Sequence, residues 1–154
     1  MEREPIRTEF LFYADLQLDM PQNVGAGPHG NRQIIRVVSG TVEGPKIKGA
    51  TLVMSGDWLL LRPDGVGELD VRSTIKTDDD QLVYMHYRGL MHARQEIMEG
   101  MFQGKPVAAA DLYLRVSPFF ETSSQKYDWL NRTVAVGTAR VGLPRFELFL
   151  YSVL

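Results

Sequence analysis

The stretch Glu68-Leu69-Asp70-Val71-Arg72-Ser73-Thr74-Ile75 alternates like a half-buried strand. A period of two places Leu69, Val71 and Ile75 on one face and Glu68, Asp70, Arg72 and Thr74 on the other. An acidic turn, Asp78-Asp79-Asp80, follows, and Leu82-Val83-Tyr84-Met85-His86-Tyr87 returns, so the two segments read as a hairpin. Other strand-like runs also carry isolated charges or aromatic residues: Asp57 and Trp58, Arg115, Glu121, Trp129 and Asn131. A closed sheet with a polar, ligand-sized interior would account for all of them together.

Outward from this hairpin, strand signals recur at short intervals. They cover Thr8 to Leu18, Gln33 to Ser39, Lys48 to Met54 and Gly56 to Arg62. They resume over Asp111 to Phe120, broken at Pro118, then over Leu130 to Arg140 and Phe146 to Val153. Pro63-Asp64-Gly65 is a turn in which proline presets φ and glycine accepts a positive one. Asp19 to Asn31 reads as a polar loop, and Ser39-Gly40 as a turn or bulge. One helix is expected, Met91 to Met101, as a short surface insertion. The expected fold is therefore all-β, an antiparallel barrel of about nine or ten strands in one domain, residues 1–154, wide enough for one small ligand.

Composition narrows the function. The chain has 154 residues, 23% of them charged, and a net charge of −2, so nothing electrostatic points to nucleic acid or an anionic membrane. It has no cysteine, which removes disulfides, thiolate nucleophiles and Cys-ligated zinc. No apolar run approaches the ~20 residues of a membrane-spanning helix, and the N-terminus lacks the pattern of a secretory signal. A cytoplasmic protein is expected. His29, His86 and His92 lack metal-ligand spacing, so no metal is expected, and no cofactor either. Gly25-x-Gly27-x-x-Gly30 matches a dinucleotide-loop spelling, but no helix follows to receive a phosphate; it reads as a flexible loop at a barrel mouth. There is no Gly-x-Ser-x-Gly elbow.

Several segments, in order, resemble one family. They are Gly40-Thr41-Val42-Glu43-Gly44-Pro45, Gly56-Asp57-Trp58, Arg62-Pro63-Asp64-Gly65, Leu69-Asp70-Val71-Arg72, Thr77-Asp78-Asp79, Phe120-Glu121-Thr122 and Trp129-Leu130-Asn131-Arg132. The order and spacing are similar to those of domain-of-unknown-function family 3237, which is bacterial and fungal, over nearly the whole chain. The resemblance implies a barrel-like all-β domain and oligomers, and no particular activity. Two positions depart from the family pattern. Asp80 stands where the family has glycine, which puts the turn geometry in question. Leu114-Arg115-Val116 replaces an aromatic-Arg-Thr triplet, losing a hydroxyl. The segment His92 to Val107 lies where members vary and is a candidate for tuning access.

The candidate site follows from the alternation. Asp70 and Arg72 would face the lumen, with Arg72 holding a carboxylate, phenolate or enolate oxygen and Asp70 orienting it or acting as base. A structural ion pair on a solvated face is the competing reading. Tyr84 and His86 share a strand face and supply an O–H donor and a proton-transfer group. Asp57 and Trp58 face opposite ways, so only one of them can be lumenal. Arg115 needs an acceptor, for which Glu121, Asp70 and Asp57 are candidates. Trp129 and Asn131 would share a face as a stacking wall and an amide, or else Asn131 binds backbone. The expected function is a barrel enclosing a small, partly apolar carbonyl or phenolic compound, with cofactor-independent acid/base chemistry of isomerase, lyase or cyclase type. A non-catalytic binding module is the alternative, as is a structural homo-oligomer built through Phe146 to Leu154.

Overall fold

A computed structural model describes residues 1–154. Ten strands form: β1 (Thr8–Leu18), β2 (Gln22–Gly27), β3 (Gly30–Glu43), β4 (Lys48–Thr51), β5 (Gly56–Leu61), β6 (Gly67–Thr77), β7 (Leu82–His92), β8 (Tyr113–Glu121), β9 (Ala135–Gly142) and β10 (Arg145–Val153), with one helix, α1 (Gln95–Phe102). They make one sheet in the order β1-β10-β9-β8-β7-β6-β4-β3-β2, and β1 also pairs with β3, which closes the ring. Strands β4 and β5 lie end to end between β3 and β6, and β2 continues along β3 past the end of β1. The closed antiparallel barrel thus has eight strand positions and no free edge through most of its height.

Alternation decides what each strand buries. Leu69, Val71 and Ile75 of β6, Val83, Met85, Tyr87 and Met91 of β7, and Leu114, Val116 and Phe120 of β8 all point inward. With residues of β1, β3 and β10 they form one continuous apolar core. Each large side chain so buried contributes roughly 1.5–3 kcal/mol, so the barrel interior is the principal source of stability.

The structure refines the sequence reading at several places. Strand β8 runs straight through Pro118, which pairs with Tyr87 on one side, while β9 meets β8 only at Arg115 and Val116. A proline is tolerated where no second ladder needs its missing N–H. The glycine-rich segment forms β2 and its tight turn into β3, with Gly25 at φ +92° and Gly30 at φ +132°. The acidic turn keeps the backbone a glycine would take: Asp80 has φ +62°. Helix α1 begins at Gln95, because β7 continues to His92. It also buries Met98 and Met101, so it is a plug at one end of the barrel. An eight-residue helix without a side-chain cap is marginal alone, and this burial is what holds it.

Candidate functional site

The interior is not completely filled. A cavity of about 50 Å³ lies between the barrel wall and α1. That is room for a few waters or a small organic group. Of its 15 lining residues, 14 are hydrophobic, and the exception is Asp57. Leu16, Leu18, Ile35 and Val37 form one wall, Leu69, Val71, Tyr87 and Met91 the opposite one, and Met101, Phe102 and Leu143 the roof. A surface groove lined by Asp19, Met20, Pro21, Gln103 and Pro144 shares Leu18, Ile35, Phe102 and Leu143 with the cavity. Phe102 and Leu143 therefore stand between the cavity and the outside.

The backbone around Asp57 explains its position. Strands β5 and β6 pair at Gly56–Arg72 and Asp57–Val71 and again at Leu60–Glu68 and Leu61–Gly67, leaving the two rungs between unpaired. Side chains satisfy backbone groups freed there. The Asp70 N–H donates to Asp57 Oδ1 at 3.0 Å, and Arg32 Nη1 donates to the Trp58 carbonyl at 2.7 Å. Asp57 is thus a structural wedge in the ladder and the only charged group on the cavity wall. Burial raises its carboxyl to about 7, and the Asp70 charge adds to the rise. The Asp70 N–H and the Arg32 charge pull the other way. Val71 pairs with both Asp57 and Tyr87, so these three share one level of the barrel. The Tyr87 phenol is pushed well above its ordinary range, by burial first and the Asp57 charge second, and so keeps its O–H proton to donate.

Asp70, Arg72 and His86 do come together, but on the outer face. They alternate with the inward Leu69, Val71, Met85 and Tyr87, so alternation carries them outward. Their side chains are 26%, 46% and 35% exposed. His86 Nε2 lies 2.9 Å and Arg72 Nη1 3.6 Å from Asp70 Oδ1, and Arg72 covers the outward Trp58 ring. Tyr84 is on the same outer face and exposed. The expectation of a lumenal Asp70–Arg72 pair is corrected, and of Asp57 and Trp58 it is Asp57 that faces inward.

A family model described as "Protein of unknown function (DUF3237)" matches residues 6–153. The chain belongs to the DUF3237 family. The UPF0311 protein RPA1785 of Rhodopseudomonas palustris is 29% identical over 97% of each chain, and its crystal structure superposes with a TM-score of 0.94 over 99% of this chain and 100% of the other. A β-barrel-like protein of Acinetobacter baumannii is 34% identical over 99% of each, with a TM-score of 0.85. A structure described as that of an enzyme from Penicillium herquei covers 100% of this chain and 98% of its own with a TM-score of 0.75, but at 21% identity it shares the fold alone.

Other expected site residues of this DUF3237 barrel also lie outside the cavity. Arg115 is exposed, stacks over Tyr113, and donates to the Leu114 carbonyl and Thr138 Oγ1 rather than to Glu121, which is exposed as well. Residues Asp128–Arg132 form a 3₁₀ turn, not a strand, so Trp129 and Asn131 do not share a strand face. Asn131 Oδ1 accepts the Thr122 N–H at 2.8 Å and its Nδ2 donates to the Thr122 carbonyl, clamping that backbone. Trp129 packs against the core beneath Lys46. Tyr87, Met91, Met101 and Phe102 were missed as lining residues. The hairpin pattern put Tyr87 on the apolar face, which was the available signal.

Proposed function

We propose that this protein takes a small, mainly apolar carbonyl or phenolic molecule into the barrel and moves a proton on it, without a cofactor. The single observation that carries this reading is Asp57, the one carboxyl on an otherwise hydrophobic cavity wall. A group poised near 7 has both protonation states available at neutral pH, as a general acid/base requires. The ionised Asp57 takes a proton from a carbon next to the carbonyl, and the electron pair moves onto the carbonyl oxygen. The Tyr87 O–H donates a hydrogen bond to that developing oxyanion in a setting with little water. Protonated Asp57 then returns the proton to another position of the same molecule, which is isomerisation with nothing gained or lost. Ring closure or elimination would use the same two groups. That a protein sharing the fold is called an enzyme is compatible with this reading.

The test is deuterium incorporation into the smallest ketones, acetone and 2-butanone, followed by NMR in D₂O. The wild type should accelerate exchange over buffer, Asp57→Asn and Tyr87→Phe should lose the acceleration, and Asp70→Asn should keep it. Acceleration that survives Asp57→Asn refutes the assignment. Ketone binding with no exchange in any variant leaves the non-catalytic binding module.

A further inference from the structure

The cavity has room for the reacting end of a substrate and little else. Against it lies the surface groove, about 530 Å³ in volume, roughly ten times larger. The two spaces are contiguous, because Leu18, Ile35, Phe102 and Leu143 line both. Ile35 is also the cross-strand partner of Asp57, so the groove ends one rung from the carboxyl. Three elements build the rim. Met20 and Pro21 follow β1, Pro144 sits in the β9–β10 turn, and Phe102 ends α1. The Leu18 N–H donates to the Pro144 carbonyl at 2.8 Å and ties the first two together. Met20 leaves its side chain 83% exposed there, an apolar group with nothing over it. The single charged lining residue, Asp19, is already paired. Its Oδ2 accepts from Arg36 at 2.6 and 3.1 Å, and its Oδ1 accepts the Met20 N–H at 2.9 Å. No lysine or arginine lines the groove.

We propose that the substrate is an elongated, neutral ketone whose carbonyl end enters the cavity while its apolar chain lies in the groove; this rests on the reading of Asp57 as a proton shuttle. The size of the cavity requires the division, since a substrate larger than a few heavy atoms must leave most of itself outside. The constriction requires a slim connection. Whatever joins the two spaces passes between Phe102 and Leu143, and an unbranched chain does so with the least displacement of either side chain. The charge pattern requires a neutral chain, because a carboxylate or phosphate on it would find no cation on the groove wall and would face Asp19. A fully buried methylene is worth about fourfold in affinity. The groove covers a chain on one side, so each methylene laid in it contributes about twofold. Met20 and Gln103 thereby become determinants of chain-length preference, although neither approaches the reacting carbon.

The experiment uses the intact chain and the straight-chain methyl ketones from 2-butanone to 2-heptanone. Deuterium exchange gives a half-saturating concentration for each ketone, and the methyl signals of Met20 in the groove and Met101 in the cavity report binding independently. In the wild type the half-saturating concentration should fall about twofold per added methylene, roughly eightfold across the series. The Met20 methyl should shift with 2-heptanone and not with 2-butanone, and Met101 should shift with both. The ratio of the 2-butanone to the 2-heptanone value is then compared within each variant, which cancels any change common to all ketones. Met20→Asn should lower this ratio about twofold, and Gln103→Leu should raise it by a similar factor. Opposite responses of two exposed positions are not what a general loss of structure produces. A half-saturating concentration that is flat or rises with chain length, while 2-butanone still exchanges, would overturn the inference, leave Asp57 its role and assign the groove to some other partner. A falling series that neither variant alters would place the chain elsewhere and also overturn it. Saturable shifts of Met20 and Met101 with 2-heptanone but no exchange of any ketone would support the groove and refute the shuttle; absence of both would remove the two readings together.

Discussion

Asp57 makes a thermodynamic claim that needs no ligand. Its carboxyl stands at about 7 in the folded chain, against an ordinary aspartate value of 3.8. The folded state therefore holds a proton that the unfolded state releases at lower pH, and between those values stability falls as pH rises. Below pH ~4 both states are protonated and there is no penalty; above pH ~7 both are ionised and the penalty is complete. A rise of about three units at 1.36 kcal/mol each gives about 4 kcal/mol of stability forgone at pH 8. Asp57→Asn is nearly isosteric, and its amide oxygen can still accept the Asp70 N–H that Oδ1 takes now. It removes the charge and keeps the wedge in the β5–β6 ladder. Urea unfolding of both proteins from pH 4.5 to 8.5 supplies the comparison, because groups common to both cancel in the difference. The stability of Asp57→Asn relative to the wild type should climb through this range by about 3 kcal/mol, the first ~1 kcal/mol having accrued below pH 4.5, and level off above pH ~7.5. Two parallel curves would show that Asp57 titrates alike in both states, and would refute both the buried carboxyl and its service as a proton shuttle at neutral pH.

Three further outcomes follow from the geometry. Asp70→Asn, Arg72→Gln and His86→Ala alter only the outer face, so each should leave ketone exchange within about twofold of the wild type and cost no more than about 1 kcal/mol on unfolding, as for other exposed pairs. Phe102→Ala opens the barrier between cavity and groove, so relaxation-dispersion NMR should show 2-butanone entering and leaving several-fold faster than in the wild type. Asp79 accepts hydrogen bonds from Lys126, Thr77 and Tyr127, in that order of effect, and these hold its carboxyl well below the usual range. Its stabilisation is present above the unfolded carboxylate value and fades as pH falls. Asp79→Asn should accordingly lower Tm at pH 7, and the difference should shrink below pH ~4.

The fold was legible because alternation is a local property. The residues 68 to 75 and 82 to 87 carry a clean period of two, and turn residues punctuate the chain at strand-length intervals, so hairpins and a closed sheet followed. The site was less legible because the inward face of a closed sheet is set by packing, not by local pattern. Alternation divides residues into two faces but does not say which face the closed sheet turns inward. Charges within a strand pattern suggested a polar lumen, whereas Leu69, Val71 and Ile75 took the interior and left Asp70 and Arg72 outside. The same rule separates Asp57 from Trp58, and only packing decides that the aromatic goes outward.

What the sequence determined by itself was the kind of structure and its chemical limits: a barrel of short strands, without thiols, with a hairpin centred on Asp78-Asp79-Asp80. Tertiary structure alone decided the site. Asp57 comes from β5, Tyr87 from β7, Ile35 and Val37 from β3 and Phe102 from α1, and no spacing along the chain relates them. Closure of the ring through β1 and β3 enclosed them, and α1 folding over one end roofed the cavity. Enclosure is what matters to the chemistry, because an aspartate is an ordinary strong carboxylate in water and becomes a proton shuttle only where the surrounding protein excludes it.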